Sequence, residues 1–147
     1  MHMTTSSIIL CLLTSMFAVH KGVAEDANTD FVANTVGQYD LPWAIEFLPD
    51  NRILLSEMKG SLKLLDSDGS LLGEVTGVPE VAFGGQGGLG DVVLHPDFEK
   101  NRGVYLSYAE DGPNKTFGAA VAIGNLELTE RGGQLKNLEV IWRQVPK

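Results

Sequence analysis

Few side chains in this sequence are placed to do chemistry, and the one best placed is an amide. Gln86 stands in the run Val81-Ala82-Phe83-Gly84-Gly85-Gln86-Gly87-Gly88-Leu89-Gly90, five of whose ten residues are Gly. Glycines this dense let backbone fold tightly and approach another group closely. Within the loop only Gln86 has a side chain that both donates and accepts hydrogen bonds. That suits contact with a polar ligand, with any bond-making done by other groups. The same residues equally describe a wide, flexible turn in which the Gln is incidental.

The other candidates are weaker. Gly85-Gln86-Gly87-Gly88-Leu89-Gly90 satisfies the dinucleotide pattern, but that motif works only where a helix N-terminus follows to face the phosphates. Here Asp91-Val92-Val93-Leu94 is short and β-branched, and Pro96 stops it. Asp66-Ser67-Asp68-Gly69 begins like a calcium loop, yet the closing acid would fall at residue 77, which is Gly77. It reads as a hairpin turn. His95 precedes Pro96-Asp97 and reads as a turn residue. Glu57 and Asp91 sit at strand ends, where a carboxylate faces either a central channel or, the reading the pattern favours, solvent. With no second His, Cys or acidic pair at ligand spacing, no metal site is expected here.

The elements that carry these groups are short strands. Trp43–Leu48, Arg52–Glu57, Ser61–Asp66 and Leu71–Thr76 are separated by Pro-Asp-Asn, Lys-Gly and Ser-Asp-Gly turns. Phe31–Val36 is a further short β candidate. The pattern then returns. Phe47-Leu48-Pro49-Asp50 reappears as Leu94-His95-Pro96-Asp97, offset by 47 residues, and Arg52-Ile53-Leu54-Leu55-Ser56 as Arg102-Gly103-Val104-Tyr105-Leu106-Ser107. A repeat of about 40–50 residues with four strands per unit is the signature of a β-propeller blade. The second unit continues through Ala119–Leu128 and Leu138–Arg143. Two blades do not close a ring, so the chain is expected to be the N-terminal piece of a longer protein.

Composition agrees with a folded, all-β protein. The 147 residues are 44% hydrophobic and 20% charged, with 17 Gly. A net charge of −8 argues against nucleic acid or an anionic membrane as partner. Residues 1–24 read as a signal peptide: Ile8–Val19 is an apolar core too short to span a bilayer, and Gly22-Val23-Ala24 supplies small residues before a cut ahead of Glu25. Residues 25–40 form a leader with a first strand. Cleavage removes the only Cys, Cys11, which fits a periplasmic protein without disulfides and leaves no membrane span in the mature chain.

One ordered set of segments is specific: Leu41-Pro42-Trp43-Ala44-Ile45-Glu46-Phe47-Leu48-Pro49-Asp50, Gly77-Val78-Pro79-Glu80-Val81, Gly85-Gln86-Gly87-Gly88-Leu89, His95-Pro96-Asp97-Phe98 and Tyr105-Leu106-Ser107-Tyr108. Together they resemble the opening of the soluble PQQ-dependent glucose/sorbosone dehydrogenases, in the aldose sugar dehydrogenase branch, over residues 41–147. The resemblance implies a six-bladed β-propeller, of which this chain covers about the first two blades. It implies pyrroloquinoline quinone (PQQ) at the top of the central channel and calcium bound elsewhere. A histidine base would take the C1 hydroxyl proton of an aldose while hydride passes to the quinone, and the electrons would go to an external acceptor. Gln86 takes the role of the loop Gln that contacts quinone and sugar.

The departures limit what this chain can do. The family's catalytic His lies just beyond the segment matched by Arg143-Gln144-Val145-Pro146-Lys147, so no catalytic residue is assigned here and the chain alone is expected to be inactive. The groups that hold the quinone carboxylates and the calcium belong to later blades. Ser56-Glu57-Met58 stands where relatives often carry Thr-Glu-Arg. A non-catalytic propeller-type binding module, using the Gly loop as its ligand contact, is the alternative. A lactonase-type propeller is disfavoured because Leu41-Pro42-Trp43 lacks that group's Glu-Gly-Pro metal-ligand signature.

Overall fold

The computed structural model describes residues 32–147. The segment read as a signal peptide lies outside them. Residues 32–41 form no strand, so the expected strand at Phe31–Val36 is not found over its described part. Val32 and Val36 are 85% and 69% exposed. With no buried face, nothing offsets the entropy of ordering them.

Eight strands follow in two meanders. The first is β1 (Pro42–Phe47), β2 (Ile53–Glu57), β3 (Ser61–Leu65) and β4 (Leu71–Thr76). The second is β5 (Leu89–Leu94), β6 (Gly103–Asp111), β7 (Phe117–Thr129) and β8 (Gly132–Arg143). Within each meander, neighbours pair antiparallel in chain order. These are the two blades read from the repeat.

The blades pack face to face. Leu54, Leu62 and Leu64 of the first and Leu89, Val92, Val104 and Leu106 of the second share one core, each 2% exposed or less. Alternation produces this directly: Leu54 and Leu64 point one way along their strands, while Ile53, Leu55 and Leu65 point the other and form a smaller cluster with Tyr39. The sequence pattern did not reveal how the outer edges meet. β4 pairs β8 in parallel, Glu74 opposite Gly132 and Thr76 opposite Gln134, which joins both blades into one eight-stranded sheet. Glycine permits this approach, since a Cβ on Gly73 would lie 2.1 Å from the Arg131 carbonyl oxygen.

The repeat is finer than the sequence alone suggests. Ser56 Oγ accepts the Ala44 amide at 3.1 Å, and Ser107 Oγ accepts the Asp91 amide at 2.9 Å. Both amides sit where the innermost strand slips register against its neighbour. The first pair of amides is 47 residues apart and the pair of serines 51. The extra four residues are the helical turn α1 (Phe98–Asn101), too short to announce itself as a period in sequence.

Candidate functional site

The Gly-rich run is a tight, pinned hairpin and not a wide turn. Gly84 and Gly87 bridge, with the Gly87 amide donating to the Gly84 carbonyl at 2.8 Å, and Gly85-Gln86 forms the two-residue tip. Gly85 has φ 57°, as the first position of a tight hairpin turn requires. The base is held from both blades. The Leu89 amide donates to the Met58 carbonyl at 2.9 Å, the Ala109 amide to Gly88 at 2.9 Å, and the Ala82 amide to Ala109 at 2.8 Å. Gly88 is the close-approach glycine: at φ 142°, a Cβ there would stand 2.1 Å from Met58 O.

Gln86 therefore stands exposed at the end of a fixed hairpin, and its amide bonds to no other described residue. It lines a hollow of about 250 Å³ with Trp43, Met58, Gly88, Gly90 and Tyr108. Trp43 is 56% exposed on the innermost strand. Burial, and then the Glu110 charge, raise the Tyr108 phenol above its usual value against the pull of Arg143, so it stays neutral. The site thus offers an aromatic wall, bare backbone and one free amide.

Sequence reasoning did not single out Ser56. Its fully buried hydroxyl donates to the Gly90 carbonyl at 2.7 Å while accepting the Ala44 amide, tying the loop's exit to blade 1. Its repeat as Ser107 was the available signal.

The remaining candidates resolve into supporting roles. Glu57 is 6% exposed, which corrects the solvated-end reading: its carboxylate accepts the Asp40 amide at 2.8 Å and faces Lys63 at 3.6 Å. A buried carboxylate needs such partners. Asp91 is exposed. His95 lies beyond the far end of β5 from the loop, stacked on Tyr105, and its Nδ1 accepts the Asp97 amide at 2.9 Å. It is a turn residue, as read. Asp66 and Asp68 bond to turn amides at Ser67 and Ser70. A second hollow of about 610 Å³ is lined by Lys59, Glu80, Glu110 and Asp111, but Glu110 is held there by Arg143 and Lys147.

The glucose/sorbosone dehydrogenase family profile matches residues 39–147. The chain belongs to that family. It is 35% identical over 140 residues to aldose sugar dehydrogenase YliI of Escherichia coli (strain K12), covering 95% of this chain and 35% of that protein. The structure resembles the soluble aldose sugar dehydrogenase of Escherichia coli in its apo form, at TM-score 0.68 and 40% identity, over 74% of this chain and 31% of that one. It also resembles the PQQ-bound form of aldose sugar dehydrogenase from Streptomyces coelicolor, at TM-score 0.58 and 27% identity, over 80% of this chain and 34% of that one. The chain spans about a third of the length of these relatives. The face-to-face blades and the similarity to these proteins establish the propeller fold anticipated from the repeat, in partial form.

A flat quinone fits what is here in part. Trp43 and the bare glycine backbone suit a planar ring, and Gln86 suits a carbonyl or hydroxyl at its edge. No Lys or Arg lines this hollow to pair a carboxylate. Among the described residues, no three His, Cys, Asp or Glu converge on a point where calcium could sit.

Proposed function

We propose that this chain supplies one wall of the cofactor and sugar site of a PQQ-dependent aldose dehydrogenase, which oxidises the sugar at C1 to a lactone. The observation that carries this reading is the pinned Gly loop holding a free Gln86 amide beside Trp43. When bound, PQQ supplies the acceptor for the C1 hydride.

The chain's own residues bind and orient. The Gln86 amide has donors for a quinone carbonyl and an acceptor for a sugar hydroxyl, so it can fix the sugar's C1 face against the ring. Trp43 and the loop backbone exclude water from one side. Pinning by Met58, Ala109 and Ser56 means the loop backbone that carries Gln86 is in place before ligand arrives, which reduces the ordering cost on binding.

The proton of the C1 hydroxyl must go to a base, and no described residue lining this hollow is a His or carboxylate. The base, the cations for the quinone carboxylates and the calcium ligands belong to blades beyond these two, so the chain alone would be inactive. The electrons leave to an external acceptor. In this reading residues 1–24 export the chain and the enzyme works in the periplasm.

A chimera tests the reading. Residues 39–147 would replace the matched segment of Escherichia coli aldose sugar dehydrogenase, and reduction of an electron-accepting dye by aldoses would be followed with and without added PQQ. Sugar-dependent reduction only with PQQ is expected. A folded chimera that binds PQQ but oxidises no aldose would favour the non-catalytic binding module.

A further inference from the structure

Trp43 is bracketed by two consecutive residues of β2. It is the extra residue of a bulge: Pro42 pairs Glu57 and Ala44 pairs Ser56, which leaves Trp43 between them with no cross-strand partner. Bulges of this kind re-aim a side chain, and here Trp43 lines the hollow beside Gln86. After the bulge, Ser56 Oγ accepts the Ala44 amide at 3.1 Å. Before it, Glu57 Oε1 accepts the Asp40 amide at 2.8 Å, and Oε2 of the same buried carboxylate faces Lys63 Nζ at 3.6 Å. Lys63 also pairs with Glu74, so replacing Glu57 would not leave its charge without a partner.

Blade 2 shows what the fold itself needs at this place. The 47-residue offset sets Gly88 against Leu41, and the 51-residue offset sets Tyr108 against Glu57 and Ala109 against Met58. The backbone bonds match: the Met58 amide donates to Leu41 O at 3.0 Å, and the Ala109 amide to Gly88 O at 2.9 Å. Ser107 holds the Asp91 amide as Ser56 holds that of Ala44. Among the described residues, however, Tyr108 accepts no amide where Glu57 does. Blade 2 therefore turns this corner with a Gly and a Ser alone. Blade 1 turns it with Leu41 at φ 55° and Pro42 next, although a Cβ and a following Pro both disfavour that backbone. The carboxylate is an added tie on a strained corner, and the corner leads to Trp43.

We propose that Glu57 is a positioning residue for the cofactor and sugar site: its carboxylate, braced by Lys63, holds the Asp40–Pro42 corner so that Trp43 stands at the hollow beside Gln86. Glu57 does not itself line the hollow and acts through Trp43. The proposal rests on the reading of that hollow as one wall of the site.

Variants of the chimera test it, with far-UV circular dichroism to verify folding. Glu57→Met is of similar size but accepts no hydrogen bond from an amide, and Glu57→Gln keeps an acceptor for Asp40. Hydrogen exchange read by mass spectrometry should speed up over residues 39–44 in Glu57→Met and keep the parent rate over residues 89–111. With PQQ, kcat/KM for aldose should fall about tenfold in Glu57→Met and stay near the parent in Glu57→Gln. In a Trp43→Ala background the Glu57→Met change should cost no further activity, because the residue it acts through is gone. Equal falls with and without Trp43, or no fall at all, overturn the proposal. So does exchange unchanged over residues 39–44. Faster exchange throughout both blades, or a Glu57→Met chimera that does not fold, assigns the carboxylate to the fold and overturns it too. A parent chimera that oxidises no aldose, yet shows the local change in exchange, refutes the reaction reading and leaves the hold of Glu57 on the corner standing.

Discussion

Gln86 and Gly88 divide the work of the loop. Gln86 offers the free amide, and Gly88 allows the backbone contact that fixes the loop carrying it. The density of Gly around one Gln was legible in the sequence. The pinning was not, because it depends on carbonyls of Met58 and Ala109 that are distant in sequence. Gly88→Ala should destabilise the fold by at least ~2 kcal/mol, since its Cβ meets the Met58 carbonyl at 2.1 Å in a conformation that disfavours side chains. Gly84→Ala, where an added Cβ meets nothing within 4 Å, should change stability by less than ~0.5 kcal/mol. Thermal unfolding of the two variants compares them directly, and equal losses would remove the close-approach argument.

At the scale of elements, the strands were readable because Ile, Leu and Val alternate with polar residues between strong turn signals. The β4–β8 pairing and α1 were not, the first because a parallel contact between distant strands leaves no local pattern. The end of β8 is held by charge. Glu110 accepts from Arg143 Nε at 2.9 Å and from Lys147, and its carboxyl lies below the ordinary value of 4.5, chiefly through the Lys147 hydrogen bond, with Arg143 adding its charge. A lowered carboxylate stabilises fully above the ordinary value and loses that contribution as pH falls through the lowered one. The Gln144 amide, which donates to Ala119 O at 2.8 Å, should therefore lose protection from hydrogen exchange as pH falls through the lowered carboxyl value, after correction for intrinsic rates. Glu110→Gln should abolish that pH dependence. Protection unchanged between neutral and acid pH would show that the ion pairs do not dock this strand end.

On the whole-molecule scale, two blades sharing one core make a fold whose stability is concentrated at their contact. Leu54 and Leu106 are fully buried there from opposite blades. Leu54→Ala should cost ~2–5 kcal/mol, measured by chemical denaturation, and should loosen both blades together. Two separate transitions in the parent chain would contradict the shared core. The 47-residue offset gave this architecture, and the ordered motifs gave the family. The hollow beside Gln86 was not legible, because Trp43 and Tyr108 come to it from different blades.

The most direct test of the central claim compares Gln86 with Gln86→Ala in the PQQ-loaded chimera, by kcat/KM for aldose and by melting temperature. The account predicts a fall in kcat/KM of at least about tenfold, the loss of one or two oriented hydrogen bonds, with the melting temperature unchanged because the side chain is exposed and unbonded. An unchanged kcat/KM in a folded, PQQ-loaded variant would contradict it and remove Gln86 from the site.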